Sequence, residues 1–299
     1  MMFLEATFFV SVNDLLIIIY MGGDKKMKMK FKKVFLLVFT ALFIFVLAGC
    51  GNQKKDTTVK VGINNSDTEI WKVVKKKVKK EGIDLKIVEF SDYNQPNTAL
   101  AQGEIDMNAY QHRYFLDSWN KSHHTNLVPI GDTVIQPMAA FSHKITSLDQ
   151  LKSGAKVAIP NDASNGGRAL QLLESAGIIK LDDSVKMPTT KNIKSNKLNL
   201  KFTPLDAAQT ARSLDDVDVA IVNGNVASDA KLDPNKAIYT EKVNAKSKPW
   251  INIIVVDKKN KDNKDYKKVV KAFQTKAVAK EIKKVYGGSA IPAWNNDLK

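Results

Sequence analysis

From residue 59 onward, short apolar or alternating runs are interleaved with longer stretches whose apolar residues recur every three to four positions, so strands and helices alternate along the chain. Residues 59–63 form a short apolar run. Beyond it Ile70, Val73, Val74 and Val78 share one helical face with lysines on the other, and Asp67 or Thr68 is placed to cap that helix. Residues 85–90 alternate apolar and polar, which predicts the next strand and completes a βαβ unit with a parallel sheet. A second set follows: an apolar run at 157–159, helix formers returning at 168–173 with Gly177 as C-cap, an alternating strand at 198–205, a helix from Asp206, and the run VDVAIV at 217–222.

Two apolar segments join these sets. Residues 127–141 read as a strand broken at Gln136-Pro137, and 249–257 (PWINIIVVD) as a strand returning in the other direction, followed by one or two amphipathic helices over 264–286. Two crossings imply lobes that are each discontinuous in sequence. The expectation is an α/β protein of two lobes with a hinge of two crossing strands: residues 59–137 with 250–299 in the first lobe, 138–249 in the second. Such a layout permits closure around a ligand.

The amino-terminal pattern is different. Residues 25–33 (KKMKMKFKK) are basic and 34–48 are an uncharged apolar run of 15 residues, shorter than a membrane span and suited to a signal sequence. The run ends in Leu47-Ala48-Gly49-Cys50, which resembles the lipobox of bacterial lipoproteins. Residues 1–49 are read as a signal peptide, with 1–26 as a start assigned too early, Cys50 as the lipidation site, and 50–58 as a polar tether. This places the rest of the chain at the outer face of the cell membrane, held by lipid.

Composition adds constraints. The chain has 299 residues and a net charge of +15, and its first 49 residues supply six lysines against three carboxylates, so most of the excess lies later. The lysines are spread over helix faces and connectors without interleaved stacking aromatics, which argues against nucleic acid and for a solvated surface beside anionic envelope polymers or lipid headgroups. One cysteine excludes an internal disulfide framework, and four dispersed histidines point to no metal site. No G-x-S-x-G elbow, H-E-x-x-H helix or Walker loop is present, so no enzyme class is indicated and no cofactor is expected.

Three places carry candidate chemistry. The stretch 160–168 reads as a strand-to-helix loop that would bring free backbone N–H groups together with Asn161, Asn165 and the Arg168 guanidinium, suiting a small carboxylate or phosphate. A well-capped loop with a surface arginine fits the same residues. Tyr93, at the carboxyl end of a strand, and Tyr110 and His112, two apart on an extended segment, would wall an apolar pocket, or else form an ordinary aromatic core. Asn223 and Asn225 flank Gly224 at the end of the 217–222 strand, where amides supply donors and acceptors to a polar ligand or simply cap a turn. His123, His124 and His143 are read as surface residues.

The segments SDYNQPNTAL, NAYQHRYFL, AIPNDASNGGRALQLLESAGIIKL, SLDDVDVAIVNGN, PWINIIVV and IPAW, in that order, resemble the motif series of the NlpA/MetQ family of methionine-binding lipoproteins. The resemblance implies a two-lobed substrate-binding protein of the type 2 periplasmic class, without catalytic activity. Such a protein captures L-methionine and delivers it to an ABC transporter permease with a cytoplasmic ATPase. It also implies roles: Arg168 pairing with the ligand carboxylate, Asn165, Asn223 and Asn225 holding the α-amino and carboxylate groups, and Tyr93, Tyr110 and His112 flanking the thioether. D-methionine, a methionine-containing peptide or another amino acid is the alternative ligand, and a metal-binding lipoprotein the more distant one. Tyr114 and Ala163 depart from the family pattern, which often has proline at both positions.

Overall fold

A computed structural model describes residues 56–295 and Leu298. The signal peptide, Cys50 and the tether as far as Lys55 lie outside the described residues. Thr57 and Thr58, read as the end of the tether, already belong to the first strand, β1 (Thr57–Asn64).

A single turn of 3-10 helix leads from β1 into α1 (Thr68–Lys79), then β2 (Ile83–Phe90), α2 (Gln95–Gln102), β3 (Met107–His112), α3 (Arg113–His123) and β4 (Leu127–Asp132). The chain crosses through β5 (Val134–Ile135) to β6 (Ala139–Phe141), β7 (Lys156–Pro160), α4 (Ala163–Ser175), β8 (Lys180–Leu181), β9 (Ile193–Ser195), β10 (Lys201–Leu205), α5 (Ala207–Thr210), β11 (Val219–Val222), α6 (Gly224–Asp229) and β12 (Tyr239–Thr240). It returns as β13 (Asn252–Asp257), α7 (Lys264–Phe273), α8 (Lys276–Val285) and β14 (Ile291–Pro292).

These strands form two five-stranded sheets, β2-β1-β3-β13-β4 and β10-β7-β11-β6-β12. In the first, β1 runs parallel to β2 and β3, and β13 antiparallel to β3 and β4. In the second, β7 is parallel to β10 and β11, and β6 antiparallel to β11 and β12. The protein is therefore a two-lobed α/β structure. The chain re-enters the first sheet as β13, and β14 pairs with β5 beside the crossing.

Each sheet is covered on both faces, so β11 and the middle of β13 are continuous apolar runs rather than alternating ones. β11 is wholly buried, as is the core of β13. α1 buries Ile70, Trp71, Val74 and Val78. Val73, which the sequence pattern assigns to that face, is half-buried against the same core, and Trp71 is buried beside it, its ring 5.1 Å from Phe273 of α7. Asp67 precedes this helix without capping it. Its carboxyl is buried and accepts a hydrogen bond from the Tyr286 hydroxyl at 2.7 Å. Gly177, at φ +77°, closes α4 in the left-handed region, with the Ile178 N–H returning to Leu173 O at 3.0 Å.

α4 starts at Ala163, five residues before the position the apolar pattern marks. Asp162 caps it, accepting from the Asn165 N–H at 2.8 Å, and this puts Asn165 and Arg168 on one helix. Ala163 occupies the first helical position, the one place in a helix that also suits proline.

Candidate ligand-binding site

β3 and α3 meet without a connecting loop, and the join is sealed by His112. Its Nδ1 accepts the Phe115 N–H at 3.1 Å, which caps α3 and fixes the tautomer with the proton on Nε2. That Nε2 lies 3.2 Å from Asn165 Oδ1 on the second lobe. Burial, together with the nearby Arg168 charge, depresses the His112 pKa to about 3, so the ring is a neutral donor. The Asn165 oxygen also accepts from Asn223 Nδ2 at 2.7 Å, and its Nδ2 donates to Asp162 Oδ2 at 2.9 Å.

A second bridge crosses between the lobes where the Tyr93 hydroxyl donates to Asn225 Oδ1 at 2.6 Å. Tyr93 is held in turn by Tyr110, whose hydroxyl donates to the Tyr93 carbonyl at 2.9 Å. Burial pushes both phenols well above their ordinary pKa, keeping them protonated. The rings of Tyr93, Tyr110 and Phe115 form a triangle with centroids 5.9–6.1 Å apart. Beneath them, buried amides of Asn97, Asn108 and Gln111 bond to one another and lock α2 against β3.

Arg168 lies at the other end. It is 4 % exposed, and its guanidinium is gripped by Glu241, with Nε 3.0 Å from Oε1 and Nη2 2.5 Å from Oε2. Nη2 also donates to the Gln136 carbonyl at 3.1 Å, and the group sits 4.8 Å from the centroid of the Trp250 ring. Nη1 has no acceptor among the described residues. The helix-start N–H groups at 163–165 are not the anion cradle that the loop reading expects, because the Asp162 carboxylate already occupies the capping position. Asn161 is exposed and lies away from the site.

All seven residues expected to bind ligand line one cavity: Tyr93, Tyr110, His112, Asn165, Arg168, Asn223 and Asn225. Gln111, Phe115, Gln136, Gly224 and Asn252 complete it. Two buried polar atoms in its wall have no partner among the described residues, the acceptor Asn223 Oδ1 and the donor Gln136 Nε2. Gly224 is required where the lobes meet: a Cβ there would lie 2.9 Å from Gln136 Cβ and 3.2 Å from the Pro137 carbonyl.

The residues that the pattern missed carry weak signals. Gln136 sits at the visible break in the apolar crossing, and Trp250 falls in the run read as the returning strand, although it ends a 3-10 turn two residues before β13 starts. Glu241 is an isolated acid 73 positions from Arg168, and nothing local marks it. Tyr114 packs edge-on to Trp250 at 4.8 Å, with the Lys186 ammonium 4.8 Å from its ring centroid, so this departure from the family pattern joins the lobes at the rim of the site. His123 stacks on Trp119 at the surface end of α3, and His143 pairs with Asp215. Among the described residues no three His, Cys, Asp or Glu side chains gather as a metal cage, and no helix is long and apolar enough to cross a membrane.

Comparison with known proteins bears on this geometry. A family model described as NlpA lipoprotein matches residues 59–294. The D-methionine-binding lipoprotein MetQ of Salmonella typhi is 42% identical over 274 residues, spanning 89% of this chain and 100% of the relative. The substrate binding protein of a methionine transporter from Streptococcus pneumoniae aligns with a TM-score of 0.76 at 44% identity, over 79% of this chain and 96% of that one. A nutrient binding protein from Burkholderia cenocepacia bound to methionine aligns with a TM-score of 0.75 at 43% identity, over 79% and 99%.

Proposed function

The chain belongs to the NlpA lipoprotein family, and from that premise we propose that it is the extracytoplasmic, lipid-anchored binding protein of an ABC importer, capturing methionine between its lobes. Residues 59–137 with 250–299 form one jaw and 138–249 the other, and the lipid is carried on Cys50. L-methionine is the favoured ligand, with D-methionine or a methionine-containing peptide as close alternatives.

The observation that carries this reading is the polarity of the cavity wall. At one end, among the described residues, it offers an unpaired acceptor, Asn223 Oδ1, and an unpaired donor, Gln136 Nε2, beside the Arg168 guanidinium. An ammonium and a carboxylate on one carbon satisfy both kinds of group. Because Glu241 already balances the Arg168 charge, the site suits a net-neutral zwitterion better than a simple anion. At the other end, the triangle of aromatic rings offers edges and faces to a slender, polarizable side chain, and a thioether gains from such contacts.

The test is a thermal-shift and calorimetric panel covering the twenty amino acids, both methionine enantiomers, methionyl dipeptides, zinc and manganese. A ligand at a hundred times its Kd stabilises the folded state by about 2.7 kcal/mol, and methionine should stand out from the panel. Stabilisation by a metal alone, with none by methionine, sinks the reading. Tyr93→Phe, which removes the hydroxyl bridge to Asn225, should weaken methionine binding roughly fivefold, since one net hydrogen bond is worth about 1 kcal/mol. Unchanged affinity would mean that this bridge plays no part in closure.

A further inference from the structure

The helix layer on one face of the first sheet is strongly basic. α1, α7 and α8 together contain thirteen lysines and three carboxylates. Each carboxylate already pairs with a lysine three positions along: Glu69 with Lys72, Asp265 with Lys268, Glu281 with Lys284. The helices pack on a common apolar core, so the charges ride on one rigid layer. On α1 and just past its end, Lys72, Lys75, Lys76, Lys79 and Lys80 line an open groove beside β2, the edge strand. Lys75, Lys76 and Lys80 have no carboxylate partner among the described residues.

The chain enters the lobe at this layer. The Asp56 carboxylate is ion-paired with Lys79, and the Thr57 N–H donates to Gly82 O at 2.9 Å. Cys50 lies six positions before Asp56, a length of chain that reaches at most about 21 Å when fully extended.

We propose that the α1–α7–α8 layer is a contact surface for anionic membrane headgroups, acting as a second attachment alongside the lipid on Cys50. The proposal rests on the lipid-anchor reading above. An acyl chain combined with a polybasic surface is a two-signal attachment, and lysine stems are long enough to carry their charge to headgroups. The attraction acts within about 10 Å at 0.1 M salt, so it requires the short tether. A bilayer is favoured over an acidic protein because the layer lacks an apolar anchor: among the described residues the one exposed large hydrophobic side chain is Ile291, outside these helices. Thr57 begins β1 at the end of the first sheet away from Tyr93 and His112. A lobe lying on its basic layer therefore keeps the cavity clear of the headgroups while ligand enters.

The test uses the native lipoprotein in vesicles of phosphatidylcholine, with or without a third of phosphatidylglycerol, and follows lysine acetylation by mass spectrometry. Lys75, Lys76 and Lys80 should react at least tenfold more slowly on the anionic vesicles, with the protection lost at high salt, while exposed Lys191, Lys197 and Lys201 of the other lobe react equally on both. Lys75→Gln with Lys76→Gln and Lys80→Gln should remove protection of Lys271 and Lys280 as well, with methionine affinity unchanged. Equal reactivity of the α1 lysines on both vesicles overturns the proposal, as does equal protection of the control lysines. Protection by added poly(glycerol phosphate) on neutral vesicles, matching that on anionic ones, overturns it in favour of an envelope polymer. The mass of the intact protein reports acylation separately: an unmodified Cys50 defeats the anchor reading, whereas the vesicle comparison scores the basic layer.

Discussion

Arg168→Met is expected to abolish methionine binding and also to lower folding stability by about 3–5 kcal/mol, the usual effect of breaking a buried ion pair. The stability loss arises at Glu241, whose side chain is 16% exposed and whose oxygens accept from Arg168 Nε and Nη2 and from the Met138 N–H at 3.1 Å. Without the guanidinium, that carboxylate stays largely buried with one neutral donor. The binding loss has a different origin, since the ligand carboxylate would lose a charge-assisted bond worth about 1.5–3 kcal/mol, together with the desolvated setting that strengthens it. The two effects separate in the double variant Arg168→Met with Glu241→Leu. Replacing both members of a buried pair by apolar groups is often close to neutral, so urea titration should show stability largely restored. Calorimetry should still show no binding. A double variant that binds methionine at wild-type strength would place the ligand carboxylate elsewhere.

Acid titration should expose two opposed buried groups. Burial holds the Asp67 carboxyl up at about 7 against an ordinary 3.8, only partly offset by the hydrogen bond from Tyr286. A group raised in the folded state contributes stability that is present below pH 3.8 and lost as pH rises through 7. Taken in full, that contribution is about 4 kcal/mol. His112 behaves oppositely. With its pKa lowered from 6.5 to about 3, it contributes stability that is present above pH 6.5 and lost as pH falls through 3, again about 4–5 kcal/mol. Between pH 6.5 and 3.8 the two slopes oppose each other, so the wild-type profile should be nearly flat there. Asp67→Asn should fall steeply on acidification through this window, and His112→Gln should rise. Parallel profiles for wild type and both variants in chemical denaturation would show that neither group titrates as its burial implies.

The alternation of strand and helix and the two crossings were legible because both sheets are built from runs of one period bounded by glycine, proline and asparagine. The cavity residues were legible for a related reason. Tyr93, Tyr110, His112, Asn223 and Asn225 stand at or just beyond the carboxyl ends of strands, where open α/β sheets place their ligands. What escaped was set by distance or by competition. Glu241 depends on a contact across 73 positions. The start of α4 was hidden because Ser164 to Gly167 are poor helix formers, overridden by the Asp162 cap and by burial of Ser164, Asn165 and Gly167. Asp67 looked like a cap because its residue type favours one, yet a tyrosine 219 positions away claims it.

The unpaired amide atoms of Asn223 and Gln136 also bear on economy of transport. Hydrogen bonds from His112, Tyr93 and Arg168 draw the lobes together, with the Lys186 ammonium against the Tyr114 ring beside them. Against them stand two buried polar atoms, each costing about 1–3 kcal/mol while unsatisfied. That penalty offsets part of what shutting gains, and a ligand that bonds to both atoms would remove it. On the proposed function, the atoms that would hold the amino acid would thereby act as a cargo check, limiting how often an importer would be offered a closed but empty carrier and would spend ATP on nothing.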